Sequence, residues 1–428
     1  ITGCEPFEKD TLIAGKELSL GVDLLSLISS SIKVNQIFLS DARINILVDE
    51  KGNANYNIYR TTSTTNTASA SNTGLDLQNI QIKNINLTYN DLSVPILIVA
   101  QELNYKGSGD LSKAVFDMDT RLSANSFSLN YNGQRYINNK QLKAKLTTAI
   151  NTKSLSLIFQ DNRVKINNLP VHFQGTFDFL QHGYKMNLIV ESRKATLENI
   201  ISAIPPDMTA WIENTKLGGD VVSKIQLKGI YDAATNKMPD LWVNLRIHKG
   251  FISYRGAAEP LQNLVLKLNA NLPSMNPDSL NIQLDSLYFA VGKGFFVMRS
   301  YSLGMDHPFV ESMAKADLDL GAWAKAIGLK KIDIKGSYKL DFNAKGKFAQ
   351  GQNPASFRRD TIITSIPSFS FFSELRNGYF KFSSLPGAVQ NIGFKVNSSC
   401  PDNNYRHTVL AVESIHLEAL KNIFTGNL

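Results

Sequence analysis

Residues 262–269 read Gln262-Asn263-Leu264-Val265-Leu266-Lys267-Leu268-Asn269, with leucine at every second position. A strand points successive side chains to opposite faces, so this pattern is a strand with one apolar and one polar face. Ile332 and Ile334, then Tyr338, Leu340 and Phe342, continue the same style. Leu155, Leu157 and Phe159, then Val164 and Ile166, then Val171 and Phe173, make three shorter alternating runs. The pairs between them, Asp161-Asn162 and Asn167-Asn168, are turn-forming residue types, which predicts an antiparallel meander.

The stretch recurs further along the chain. Gly250 to Phe296 aligns without a gap on Gly378 to Phe424, since 378 − 250 and 424 − 296 are both 128. Gln262-Asn263 falls on Gln390-Asn391; Leu264, Leu266 and Leu268 fall on Ile392, Phe394 and Val396; Ile282 and Leu284 fall on Leu410 and Val412. A second likeness, Leu217-Gly218-Gly219 through Gly229 against Ile334-Lys335-Gly336 through Gly346, has a shift of 117 at 336 − 219 and at 346 − 229. Such spacing predicts repeated units that pack on their neighbours.

Helical period is confined to Asp23–Ser30, Thr196–Ala203, Asp207–Asn214 and Leu320–Ile327. Pieces of two turns are unstable alone, so they must pack on the sheet or close its end. The run from Thr61 to Gly74, TTSTTNTASASNTG, offers almost nothing to bury and reads as a flexible linker. The expected organisation is an N-terminal segment at 1–60, the linker at 61–74, and β units at 75–232, 233–350 and 351–428, the last an incomplete copy of 250–296. The fold class expected is mainly β with short helices.

Of the 428 residues 43% are hydrophobic and 19% charged, enough to build a core and too apolar for a disordered chain. Lysine plus arginine exceed aspartate plus glutamate by 45 to 37, and the formal charge of +8 favours anionic partners. The basic residues stand singly between apolar ones rather than in clusters, which argues against nucleic acid. Cys4 and Cys400 form no staple framework and no metal spacing. Ile1-Thr2-Gly3-Cys4 mimics a lipoprotein box without the apolar stretch that precedes one. No run of about 18 apolar residues predicts a membrane-spanning helix. A start at Ile1 and an end soon after Asn422-Ile423-Phe424 lead to the expectation that the chain is a piece of something longer.

Three segments resemble the AsmA family of Gram-negative envelope proteins. Phe7 to Leu12 leading into Glu17 to Leu24 is similar to the strand and helix after that family's membrane anchor. Asp49, Gly52, Asn55 and Tyr56 fit its Asp-x-x-Gly-x-x-Asn-aromatic turn, with tyrosine where tryptophan is usual. The Gly-aromatic-apolar-x-aromatic start at Gly250 to Tyr254, repeated at Gly378 to Phe382, is similar to its C-terminal region. The resemblance implies a long antiparallel sheet curled into an open U-shaped apolar groove. It also implies a periplasmic location, tethered to the inner membrane by an N-terminal helix outside this chain, and a role in phospholipid movement and outer-membrane biogenesis. The groove lining would then be Leu155, Leu157, Phe159, Leu264, Leu266, Leu268, Ile282, Leu284, Ile392, Phe394 and Val396.

No catalytic machinery is legible. His172, His182, His248, His307, His407 and His416 make no HxxxH or HExxH pair, and His407 and His416 could approach each other only across a hairpin, with no carboxylate or cysteine in an obvious ligand register. Nucleophile-elbow, phosphate-loop and dinucleotide motifs are missing, Ser30-x-x-Lys33 lacks companion motifs, and Asp117 with Asp119 reads as a solvated strand face. Neither enzyme activity, metal nor cofactor is expected. The partners expected are phospholipid or another acyl lipid. The alternative is a chaperone-like module that helps assemble outer-membrane proteins through exposed strand edges.

Overall fold

A computed structural model describes residues 1–3, 6–23, 34–56, 78–111, 113–205, 209, 212, 215–232, 234–255, 257, 259–329, 332–352, 361–382, 384, 387–420 and 422–427. Among them the protein is mainly β, with short helices. The helical pieces expected at Asp23–Ser30 and Asp207–Asn214, and the linker at 61–74, lie wholly or mostly outside the described residues. The chain divides into two compact units, the first Ile1–Glu191, Asn199–Ala210 and Ile230–Thr235, the second Ser192–Glu198, Trp211–Gly229 and Asn236–Leu428.

The first unit is built from β1 (Ile13–Val22), β2 (Val34–Val48), β3 (Asn79–Asp91), β4 (Ile96–Ser108), β5 (Val115–Tyr131), β6 (Gln134–Asn151), β7 (Ser156–Ile166), β8 (Leu169–Leu180) and β9 (Gly183–Thr196). Neighbours from β3 to β9 pair antiparallel, as hairpin-linked strands do. β2 and β3 instead pair parallel, from Gln36↔Asn79 to Val48↔Asp91. A parallel pair needs a crossover of a dozen or more residues, and the chain from Asp49 to Gln78 supplies it. The core here is Leu39, Ala42, Ile85, Ala100, Leu103 and Ala124, with Ile13, Ile44, Ile82, Leu122 and Leu142 packed against it.

Two details of the expected meander differ. Asp161-Asn162 does not end a strand: β7 runs through it, with a bulge between Phe159 and Asn162. The fully buried Asn162 accepts the Thr147 N–H at 2.7 Å, so a side-chain carbonyl replaces the ladder acceptor that the bulge displaces. Asn167-Asn168 is the turn expected, and Asn167 takes the left-handed φ of 48° that tight turns require.

The second unit contains β10 (Thr215–Tyr231), β11 (Asp240–Tyr254), β12 (Leu261–Leu272), β13 (Asn281–Val291), β14 (Gly294–Leu303), β15 (Phe309–Asp319) and β16 (Ile332–Lys347), then β19 (Ser368–Phe382), β20 (Val389–Cys400), β21 (Val409–Ala419) and β22 (Asn422–Gly426), all paired antiparallel in that order. A separate hairpin of β17 (Ala349–Gln352) and β18 (Thr361–Ser365) interrupts the series. Among the described residues the α-helices are α1 (Leu197–Ala203) and α2 (Leu320–Ala326), at two of the places where helical period appears in the sequence.

Repetition extends to the bounds of the strands. β11, β12 and β13 begin and end 128 residues before β19, β20 and β21: 368 − 240, 389 − 261 and 409 − 281 are all 128. Their bulges repeat as well, at Ile247/Gly250 and Leu375/Gly378 and at Lys267/Leu268 and Lys395/Val396. β10 and β16 are related by 117 residues, since 332 − 215 is 117. The difference, 128 − 117 = 11, falls between Gly346 and Pro367, where the β17–β18 hairpin is inserted. The boundary expected at 232/233 falls between the paired strands β10 and β11, and the one expected at 350/351 falls inside β17.

Candidate functional site

Antiparallel register carries the period-two pattern across strands. In the second unit one row of partners runs Val221, Ile247, Leu266, Leu287, Met298, Ala314, Phe342, Phe371, Ser398, Leu410, one residue from each successive strand. The next row on that face runs Ser223, Leu245, Leu268, Leu284, Ser300, Ser312, Ala344, Phe369, Cys400. The opposite face carries a row Lys315, Asp341, Phe372, Asn397, Ala411, with an ion pair between Lys315 and Asp341 at 2.9 Å and another between Lys345 and Glu311 at 3.0 Å.

Most side chains of the apolar face are neither buried nor free. Leu266, Leu268, Ile282, Leu284, Phe342, Phe371, Phe394 and Val396 are all half-buried, whereas Val221 and Ile247 are closed in. A sandwich whose second layer covered this face would remove such residues from water. Among the described residues the cover is local. α2 lays Ala322, Trp323, Ala326 and Ile327 against Ile252, Leu261, Leu264, Phe289 and Val291. Leu264 thus belongs to a core beneath the helix, because its position lies toward the strand end that α2 caps. Asp319 starts that helix, accepting the Ala322 N–H at 2.9 Å, and Gly328 ends it with φ 74° against the ring of Tyr254.

Further along the same face, Phe342, Ala344, Phe369, Phe371, Val396, Ser398 and Leu410, with Ile366 and Pro367 from the connection before β19, line a concavity of about 470 Å³. The rings of Phe342 and Phe371 meet edge-on at 6.4 Å. Ile392 pairs with Gly378, and Phe394 with Leu375 and Ile415, so all three residues expected from β20 lie on the apolar face.

In the first unit Leu157 pairs with Phe177, and the ring of Phe159 lies 4.7 Å from that of Phe173. Leu155 does not join them. It sits in the turn before β7, at φ 49° and 58% exposed, because the strand begins one residue later. A buried cation was not anticipated: Lys140 occupies a position opposite Phe127 and donates to the Ser202 carbonyl at 2.9 Å, and burial lowers its pKa. Asn167 donates to the same carbonyl at 2.8 Å, so the last turn of α1 is held by two side chains of the sheet.

The family-pattern residues have structural work. Asp49 accepts from the N–H groups of Lys51 and Asn53, and Gly52 turns the chain at φ 83°. Hydrogen bonding from the Asn53 side chain holds the Asp49 carboxyl below its usual range. Asn55, fully buried, accepts from the Leu47 N–H at 3.1 Å and donates to the Asn45 carbonyl at 2.8 Å, acting as a strand partner for β2, while Tyr56 is exposed. Gly250 and Gly378 sit at equivalent bulges, where a Cβ would come within 2.8 Å of Leu264 and of Ile392 respectively.

His407 does have a carboxylate partner, Asp402, whose Oδ2 lies 2.7 Å from its Nδ1. That bond holds the Asp402 carboxyl below its ordinary value. The buried Cys400 thiol of the same loop donates to the carbonyls of Asp402 and Asn404, which makes the cluster a hydrogen-bonded turn. Asp119 accepts from the Thr147 hydroxyl at 2.8 Å and Asp117 from Gln160 at 3.4 Å, both at exposed positions. Among the described residues no three His, Cys, Asp or Glu side chains gather as a metal site, and no helix is long and apolar enough to cross a membrane. Set against protein-family models, characterised proteins and solved structures, the chain matches none.

Proposed function

We propose that this protein binds acyl chains of phospholipid or a related lipid along the apolar sheet face, as an AsmA-like component of a Gram-negative envelope working in outer-membrane biogenesis. The observation that carries this reading is the single sheet face on which Leu266, Leu287, Met298, Phe342 and Phe371 follow one another in register as half-buried side chains, with serines at Ser300, Ser312 and Ser398 between them. Covering such a face gains roughly 25 cal/mol per Å² of apolar surface removed from water. Strands β11 to β20 of the main sheet have a ladder on each side, a setting that suits a hydrocarbon occupant, which needs no hydrogen-bond partner. No chemistry is assigned to the face. Its role is to keep a chain dry, and the periplasmic setting and inner-membrane tether belong to the same proposal through the resemblance to AsmA proteins.

Lipid extracted from the purified protein and identified by mass spectrometry tests the reading. Phospholipid should be retained by the native protein and depleted several-fold in a Leu266→Gln, Phe394→Gln variant. Protein that carries no lipid, or a variant that retains it equally, contradicts the proposal.

A second reading rests on an edge. From Val409 to Ser414, β21 pairs with β20 on one side only among the described residues, and Val409 is exposed. Such an edge can accept a strand from an outer-membrane protein during assembly. Cross-links from Val409 to a partner strand, unaffected by Leu266→Gln, would favour it over lipid.

A further inference from the structure

The polar face of the second unit carries a hollow in each repeat. In the first copy the row Lys224, Asn244, Asn269, Gln283 and the row Gln226, Trp242, Asn271, Asn281 run side by side across β10, β11, β12 and β13. These side chains line a hollow of about 270 Å³. Adding 117 to the β10 positions and 128 to the others gives Asp341, Phe372, Asn397, Ala411 and Asn343, Ser370, Ser399, Val409, which line a hollow of about 500 Å³ on β16, β19, β20 and β21. The place is conserved between the copies and the chemistry is not. Amides at 226, 244, 269, 271, 281 and 283 are reduced to Asn343 and Asn397, and Ser370 stands where Trp242 does.

We propose that the first hollow, and not the second, binds a neutral sugar ring, stacked on Trp242 and hydrogen-bonded by the amides around it. The site lies across the sheet from the proposed lipid face and does not depend on it. Trp242 stands half-buried between Gln226 and Asn271. The face of an indole is electron-rich, and the C–H groups on one side of a pyranose pack against it. The amides are already oriented: Asn244 donates to Asn269, and Asn269 and Gln283 donate to Asp285 at 3.2 and 2.7 Å. Those bonds fix the side chains and leave further N–H and carbonyl groups of the same amides for a ligand. Asn271 points to an occupant. Its Oδ1 is enclosed by protein and has no hydrogen-bond partner among the described residues, and a ligand hydroxyl met by a turn of this amide would satisfy it.

Hydroxyls suit such a lining because each donates and accepts, as the amides do, whereas a hydrocarbon would leave the amides without partners. A phosphate-bearing ligand calls for a cluster of cations aimed at it. Among the described residues Lys224 is the one charged side chain of the lining, and it already has a partner. Asp285 stands at the rim, Arg246 and Lys267 face each other in the next row out, and Lys228 faces Asp240 beyond the other row. The volume, just under the roughly 300–1,000 Å³ of small-molecule sites, admits a single ring.

The test applies the whole chain to an array of neutral oligosaccharides of glucose, mannose, galactose and N-acetylglucosamine with their sulfated counterparts, and measures the best binder by calorimetric titration. A neutral sugar should bind, and no sulfated counterpart more than threefold more tightly. Trp242→Ala should weaken binding tenfold or more, and Trp242→Phe, which keeps a ring, no more than threefold. Gln283→Ala, at an exposed position that folding tolerates, should cost at least threefold and keeps the test open if Trp242→Ala does not fold. Phe372→Ala, the control in the second copy, should leave binding within twofold. No binding on the array, a preference for sulfated sugars, tighter binding of adenosine monophosphate than of any sugar, or a loss at Phe372→Ala equal to that at Trp242→Ala overturns the inference and leaves the lipid reading untouched.

Discussion

Asn263 and Asn391, 128 residues apart by 391 − 263, adopt the same left-handed conformation, with φ of 55° and 48°, at the same bulge of equivalent strands. Asparagine tolerates that region because its short amide bonds locally, whereas a β-branched residue strains there by about 1–2 kcal/mol. Asn263→Val and Asn391→Val should each lower stability by about that amount, and the double variant by about the sum, because the sites share no partner. Asn263→Gly should stay within about 0.5 kcal/mol of the native protein. Urea denaturation measures all four.

Gly250 faces Leu264, and Gly378 faces Ile392, with room for no Cβ at either place. Gly250→Ala and Gly378→Ala should each cost about 1–3 kcal/mol through displaced strands. Thermal unfolding reads the loss, and an alanine that left both melting temperatures unchanged would contradict the tight crossing at these bulges.

Asp91 joins a pH-sensitive cluster at the end of β3. Burial opposes its ionisation, yet the Ser93 hydroxyl, the Val94 N–H, the Tyr89 hydroxyl and the Ser93 N–H together bring its pKa below the ordinary 3.8. Burial first, and then its bond to Asp91, push the Tyr89 phenol up to about 12. A carboxyl with a depressed folded-state pKa stabilises above its unfolded value and loses that contribution as pH falls through the folded one. Asp91→Ala should therefore cost about 1–3 kcal/mol near pH 7 and clearly less near pH 2, as measured by denaturant titration at both pH values.

Asp319 caps α2 through the Ala322 N–H. Asp319→Ala should lower stability by about 0.5–2 kcal/mol, and Asp319→Asn by only a few tenths. Loosening this cap also frees the helix over Leu261 and Val291, so hydrogen exchange at Ala326 should accelerate with it.

Strand character was legible in the sequence wherever alternation ran unbroken, as at Leu264 to Leu268 and Ile392 to Val396, and the 128-residue phase survives down to strand bounds and bulges. Bulges themselves were not. Asp161-Asn162 has the composition of a turn, and only the buried side chain of Asn162 bonding to Thr147 shows why the strand continues. Leu155 kept the alternation in sequence while its backbone turned left-handed, a conformation that leucine does not announce. The cover over Leu264 depends on where α2 lands, and the Asp402–His407 pair on a loop closing, both tertiary outcomes. The parallel pairing of β2 with β3 is likewise decided by register across a long crossover.

The proposed lipid role requires hydrocarbon to lie against one face of the second unit's sheet and not the other. Benzoylphenylalanine placed at Leu266, whose side chain is on the apolar face, and separately at Lys267, on the opposite one, tests it when the protein is irradiated with phosphatidylethanolamine vesicles and lipid adducts are weighed by mass spectrometry. Adducts should form at position 266 with few or none at 267; equal labelling of the two positions, or none at 266, would rule a one-sided lipid face out.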